Sequence, residues 1–74
     1  MPELSREESE RAAHVARIIS FADKVFGSHE TAMIWLREPD VRLGGRSALQ
    51  MLTTDAGERL VQNMLGQIDE GIFA

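Results

Sequence analysis

The sequence predicts an all-α fold: a small four-helix domain with one long N-terminal helix, two short helices, a C-terminal helix and an apolar tail. Three observations carry this. Apolar residues recur every three to four positions in two long segments, 12–26 and 57–68. Ser5, Ser28, Ser47 and the Thr53-Thr54 pair stand ahead of successive apolar patterns as helix caps, and Gly27, Pro39 and Gly71 stand where patterns stop. No alternating strand pattern is visible anywhere.

The first helix is expected over residues 6–26. Ser5-Arg6-Glu7-Glu8 reads as a capping box, with the Ser5 hydroxyl and the Glu8 carboxylate each meeting the other's backbone N–H. Glu7, Glu8 and Glu10 suit the positive end of the helix dipole. Ala12, Val15, Ala16, Ile19, Ala22 and Phe26 form the main apolar stripe. Ile18, Phe21 and Val25 lie beside it and widen the apolar surface beyond one packing face. Such a helix is either sunk deep in its own bundle or offers a second face to a partner subunit; Ile18, Phe21 and Val25 are the candidate dimer contacts.

A second, short helix is expected over 29–37, capped by Ser28 and stopped by Pro39, because the residue before proline avoids the α region. Residues 40–46 form a turn region holding Gly44-Gly45. Ser47 caps a third short helix with Ala48, Leu49, Met51 and Leu52. Thr53, Thr54 and Asp55 are candidate caps of the last helix, with Asp55 and Glu58 as a capping pair. Leu60, Val61, Met64, Leu65 and Ile68 give that helix one apolar face, with Gly57 on the same side for close approach of another backbone. Arg59, Gln62, Asn63 and Gly66 point the other way. Gly71 stops the helix and leaves Ile72, Phe73 and Ala74 as an apolar tail. The tail either tucks back on the bundle or inserts its aromatic ring into a partner's cleft.

Composition narrows the function. The chain has 74 residues, which makes residues 1–74 a single domain. A domain of that size buries only about 60% of the surface its unfolded chain exposes, so a partner is a natural source of added stability. There is no Cys, hence no disulfide and no thiolate metal site. His14 and His29 are the only histidines, and they show no zinc-ligand spacing; both read as surface residues. The net charge of −4 argues against nucleic-acid binding. Arg37, Arg42 and Arg46 form the densest basic group, diluted by Glu38 and Asp40. No apolar run reaches membrane-spanning length. No metal, cofactor or membrane is expected, and the cytoplasm is the expected location.

The stretch WLREPDVRLGGRSAL, residues 35–49, invites a phosphate-loop reading. A Walker loop needs G-x-x-x-x-G-K-[ST] after a strand, and neither the pattern nor a strand is present. The stretch reads instead as a structural corner: Trp35 and Leu36 anchor one helix, Pro39 stops it, Gly44 and Gly45 turn the chain, and Ser47 starts the next helix. Trp35 is weighed as a core side chain over an interface anchor. The acids sit at helix starts or in the last turn, and no Ser–His–carboxylate arrangement is visible. An enzyme is not expected.

Taken together, Val25-Phe26-Gly27, Ala32-Met33-Ile34-Trp35-Leu36, Pro39, Leu43-Gly44-Gly45, Ser47-Ala48-Leu49, Leu52 and Thr54-x-x-Gly57 resemble the toxin-binding domain of Xre/MbcA/ParS-type antitoxins. The resemblance covers roughly residues 15–74. It departs from the family pattern at Ala48, where the family usually has Pro. Many members also carry an N-terminal helix-turn-helix domain; here Met1 opens almost directly onto the toxin-binding region, as a shortened form or as a chain without its own operator reader. The resemblance implies an antitoxin of a type II toxin–antitoxin system. Its partner would be a RES-type toxin that degrades NAD or transfers ADP-ribose. It further implies that the C-terminal region, Gln67, Glu70, Gly71, Ile72, Phe73 and Ala74, blocks the toxin's active site, and that the antitoxin is a homodimer. The competing expectation is a dimerisation or regulatory module of a transcriptional repressor.

Overall fold

The computed structural model describes residues 5–71. Its order is α1 (Arg6–Phe26), α2 (His29–Arg37), β1 (Pro39–Asp40), a 3-10 turn (Val41–Leu43), β2 (Arg46–Ser47), α3 (Ala48–Met51) and α4 (Asp55–Asp69). The four helices fall where the caps and stops place them.

At the head of α1, Ser5 Oγ accepts the Glu8 N–H at 3.1 Å, and the Ser5 N–H reaches Glu8 Oε1 at 3.4 Å. Gly27 ends the helix with φ 72°, a left-handed conformation that costs glycine little. The inward face of α1 keeps part of the expected stripe, with Ala22 buried and Val15, Ile19 and Phe26 packed against the core, and adds Ile18 from beside it. Ile18 and Ala22 are buried, while Ala12 and Ala16 are exposed. The helix carries two adjacent apolar arcs, and the side from which α4 packs draws on both. That side is the row Arg11, His14, Ile18.

In α2, Ser28 Oγ accepts the Thr31 N–H, and Ala32 and Leu36 turn inward, both with no exposed surface. The residue before Pro39, Glu38, leaves the helix with ψ 138°. The corner then contains what the sequence did not predict, a two-residue antiparallel ladder pairing Pro39 with Ser47 and Asp40 with Arg46. Two residues are too few to leave an alternating pattern, and Pro39 sits on an edge where its missing N–H costs no ladder bond. Gly44 and Gly45 both take positive φ, 69° and 84°, to close the turn. Leu43 is carried into the core, and Val41 is left 92% exposed at the tip.

A second capping box starts α3: Ser47 Oγ accepts the Gln50 N–H, and the Ser47 N–H donates to Gln50 Oε1 at 2.8 Å. The cap of α4 is Thr54, whose Oγ1 accepts the Gly57 N–H at 3.0 Å. The expected Asp55–Glu58 capping pair does not form: Thr54 holds the cap position, Asp55 is the first helical residue, and both carboxylates pair with Arg11. Gly57 is buried against the end of α3, where a Cβ would collide with the Met51 carbonyl. Val61, Met64 and Leu65 line the inner face of α4, and Leu60, at the edge of that face, is 41% exposed. Leu36, Leu52, Val61 and Leu65 form the fully buried centre of the core.

Candidate functional site

The C-terminal end of α4 carries acidic residues at the negative end of its own dipole. The Glu70 N–H returns to the Gly66 carbonyl at 3.0 Å, the Gly71 N–H to the Ile68 carbonyl at 3.0 Å, and Gly71 turns off the helix with φ 77°. Gln67, Asp69, Glu70 and Gly71 are all exposed there. Acids belong at the positive end of a helix dipole and bases at the negative end. Here Asp69 and Glu70 sit at the negative end, and the last turn has no basic residue. This end of α4 therefore concentrates negative charge at some cost in helix stability. The remaining tail candidates, Ile72, Phe73 and Ala74, lie outside the described residues.

A second cluster joins α1 to α4. Arg11 Nη2 donates to Asp55 Oδ1 at 2.8 Å, and its Nη1 donates to Glu58 Oε2 at 3.2 Å and to the Leu52 carbonyl at 3.4 Å. His14 Nδ1 lies 3.0 Å from the same Glu58 oxygen, yet is buried without a well-aligned hydrogen bond. His14, Asp55 and Glu58 bring potential metal-ligand atoms within 4.8 Å of one another. The cation in this cluster is the Arg11 guanidinium, which already bridges both carboxylates. Sequence spacing could not reveal it, because the partners lie 41 to 47 residues apart. His14, expected on the plain surface, is instead half-buried between the helices. His29 is exposed, with Nδ1 2.9 Å from Asp23 Oδ1.

One turn further along both helices, Arg17, Ile18, Phe21, Glu58 and Gln62 line a groove of about 370 Å³. Of the three candidate dimer contacts, Ile18 is 4% exposed and belongs to the core, so it has almost no surface to give a second subunit. Phe21 and Val25 pack against the core but stay half-exposed.

In the corner, Leu36 and Ser47 are buried, and Pro39, Gly44 and Gly45 are exposed. Trp35 is half-buried, its ring 5.7 Å from that of Phe26 and tilted by 42°. Arg42 grips Asp40 with Nη2 on Oδ2 at 2.7 Å and Nε on Oδ1 at 3.1 Å, while its backbone N–H adds a 2.8 Å bond. The Arg42 side chain and backbone N–H hold the Asp40 carboxyl below the usual carboxylate range, and the carboxylate raises Arg42. This pair ties down one of the three clustered arginines, so the corner is not a bare basic patch. No helix among the described residues is long and apolar enough to cross a membrane.

Comparison with known proteins bears on this arrangement. The profile of the antitoxin Xre/MbcA/ParS C-terminal toxin-binding domain matches residues 21–71, from the last turns of α1 to the turn after α4. The antitoxin Xre of Pseudomonas putida KT2440 is 43% identical over 68 residues, covering 92% of this chain and 43% of the relative. The antitoxin Xre of Yersinia enterocolitica is 35% identical, covering 92% of this chain and 47% of the relative. The Prs ADP-ribosylating antitoxin of a Sphingobium strain is 32% identical, covering 96% of this chain and 50% of the relative. The chain thus spans about half the length, or slightly less, of the curated relatives it matches.

Proposed function

The chain belongs to the Xre/MbcA/ParS antitoxin family, and from that membership we propose that it neutralises a RES-type toxin by covering the toxin's active site with its C-terminal region. The observation that carries the proposal is the match to a toxin-binding domain, which runs to Gly71 at the foot of the tail. The charge at this end fits the target. A toxin that consumes NAD must hold a pyrophosphate and so has a cationic cleft. Asp69, Glu70 and the negative end of α4 offer the complementary charge. Gln67 and Glu70 would meet the rim of the cleft, Gly71 would turn the chain into it, and Ile72, Phe73 and Ala74 would fill it. The name of the Sphingobium relative fits a toxin that transfers ADP-ribose.

Inhibition of this kind is occlusion. The chain contributes surface and no bond-making step, and it would act in the cytoplasm, where NAD is consumed. Self-association into a homodimer is a further part of the proposal, with Phe21 and Val25 as the contacts left once Ile18 is assigned to the core.

The test is co-expression of the chain, tagged at its N-terminus, with the protein encoded beside it, followed by gel filtration and by cellular NAD. A stable complex with NAD preserved is the expected result. Removal of residues 72–74, or Phe73→Asp, should then restore NAD loss while the circular dichroism stays helical. A tail-deleted chain that protects as well as the intact one would sink the occlusion role of these residues.

A further inference from the structure

Gly66 is the one glycine among the described residues that the domain itself does not explain. Gly27, Gly44, Gly45 and Gly71 take positive φ, and Gly57 makes room for the Met51 carbonyl. Gly66 does neither. Its backbone is helical, it lies inside α4, and a Cβ built there would meet nothing within 4 Å. Glycine is the poorest residue after proline inside a helix, so a free position of this kind would be better served by alanine. Nothing among the described residues requires a bare backbone at this point.

We propose that Gly66 is the point of closest approach between α4 and its toxin, where a main-chain segment of the toxin crosses the helix. This rests on the antitoxin reading given above and adds to it the face of α4 that the toxin covers. Residues 62, 66 and 70 succeed one another at i, i+4 spacing and form one row on the helix. Glu70 joins that row to the anionic end of α4, so one continuous surface runs from the groove to the end of the helix. Gln62 and Asn63, both exposed, flank Gly66 with carboxamides. Each carboxamide donates and accepts, which matches the paired N–H and C=O groups of a peptide backbone. A missing Cβ lets that backbone come close enough for the pairing. A second copy of this chain is the rival occupant, since Phe21 stands across the groove from Gln62. The continuity of the row with the anionic end of α4, inside the matched toxin-binding domain, favours the toxin.

The experiment compares the intact chain with Gly66→Ala and Gly66→Gln. Thermal unfolding of each is followed alone, and affinity is measured for the purified protein encoded beside this gene. Gly66→Ala should raise Tm by about 4 °C, because the helix gains and nothing is crowded. The same substitution should weaken toxin binding about tenfold, and Gly66→Gln should weaken it further. A more stable protein that binds less well is a signature no folding defect can mimic. Wild-type affinity in both variants would overturn the proposal, as would loss of self-association with toxin affinity unchanged. If the intact chain fails to bind the neighbouring protein, the antitoxin reading itself fails and takes this proposal with it.

Discussion

At Gly57 a hydrogen stands where any other residue would set a carbon against the Met51 carbonyl. The obstacle is backbone, which cannot swing away as a side chain can. Gly57→Ala gains helix propensity of up to about 1 kcal/mol, but forcing the end of α3 off α4 costs roughly 1–3 kcal/mol. The expected result is a fall in Tm, opposite in sign to Gly66→Ala on the same helix, and paired melts of the two variants check it. The function of Gly57 was legible in the sequence, because it shares a face with Val61 and Leu65. Gly66 was legible only as a residue on the outer face; that nothing among the described residues needs it is a fact of the packing. Asp40 gives a pH prediction. Its folded pKa is lowered by Arg42, so its contribution is complete above the ordinary carboxylate value of about 3.9 and is lost as pH falls below it. Asp40→Asn should therefore flatten part of the acid limb of a urea-midpoint profile below about pH 4, and a profile with an unchanged limb would refute the assignment.

Among the elements, α1 shows what a single sequence can and cannot give. Its ends were readable because caps are local: Ser5 with Glu8, and Gly27 at the stop. Its inward face was readable only in part: Val15, Ile19, Ala22 and Phe26 face the core as expected, but the burial of Ile18 is decided by α4, more than forty residues away. The same distance hid Arg11, which pairs with Asp55 and Glu58 in the first turn of α4. Asp55 is 78% exposed and Glu58 only 20%, so the two ion pairs differ in screening. Arg11→Ala should destabilise by about 1 kcal/mol at low salt, less at high salt. Glu58→Gln should cost more than Asp55→Asn, with denaturant midpoints at two salt concentrations as the measurement. The corner was readable as a corner from Pro39 and the glycine pair, but its two-residue ladder was below the length at which alternation can be seen.

For the whole molecule the margin is thin. A 74-residue chain typically holds about 4–11 kcal/mol of stability, and truncating one central side chain removes about 2–5 kcal/mol. Leu36→Ala should thus unfold a large share of the population near 37 °C, read as loss of helical circular dichroism. The all-α class and the element order were legible because each boundary has a chemical marker. The anionic end of α4 was visible as Asp69 and Glu70, although its meaning depends on the helix ending there without a base. The clasp between α1 and α4 also has a kinetic side. Arg11 and Asp55 are 44 residues apart, so docking α4 closes a long loop, whereas α1 and α2 meet across Gly27 and Ser28. Closing a loop of that length costs only slightly more than closing a short one, so the separation slows the docking of α4 more than it weakens the docked state, in which Val61 and Leu65 are buried. In the free chain the exposed Thr53–Thr54 connection ahead of α4 is accordingly open to a protease whenever α4 undocks. A partner seated on α4 closes that route by mass action, so the lifetime of the chain becomes a gauge of how much of it is occupied.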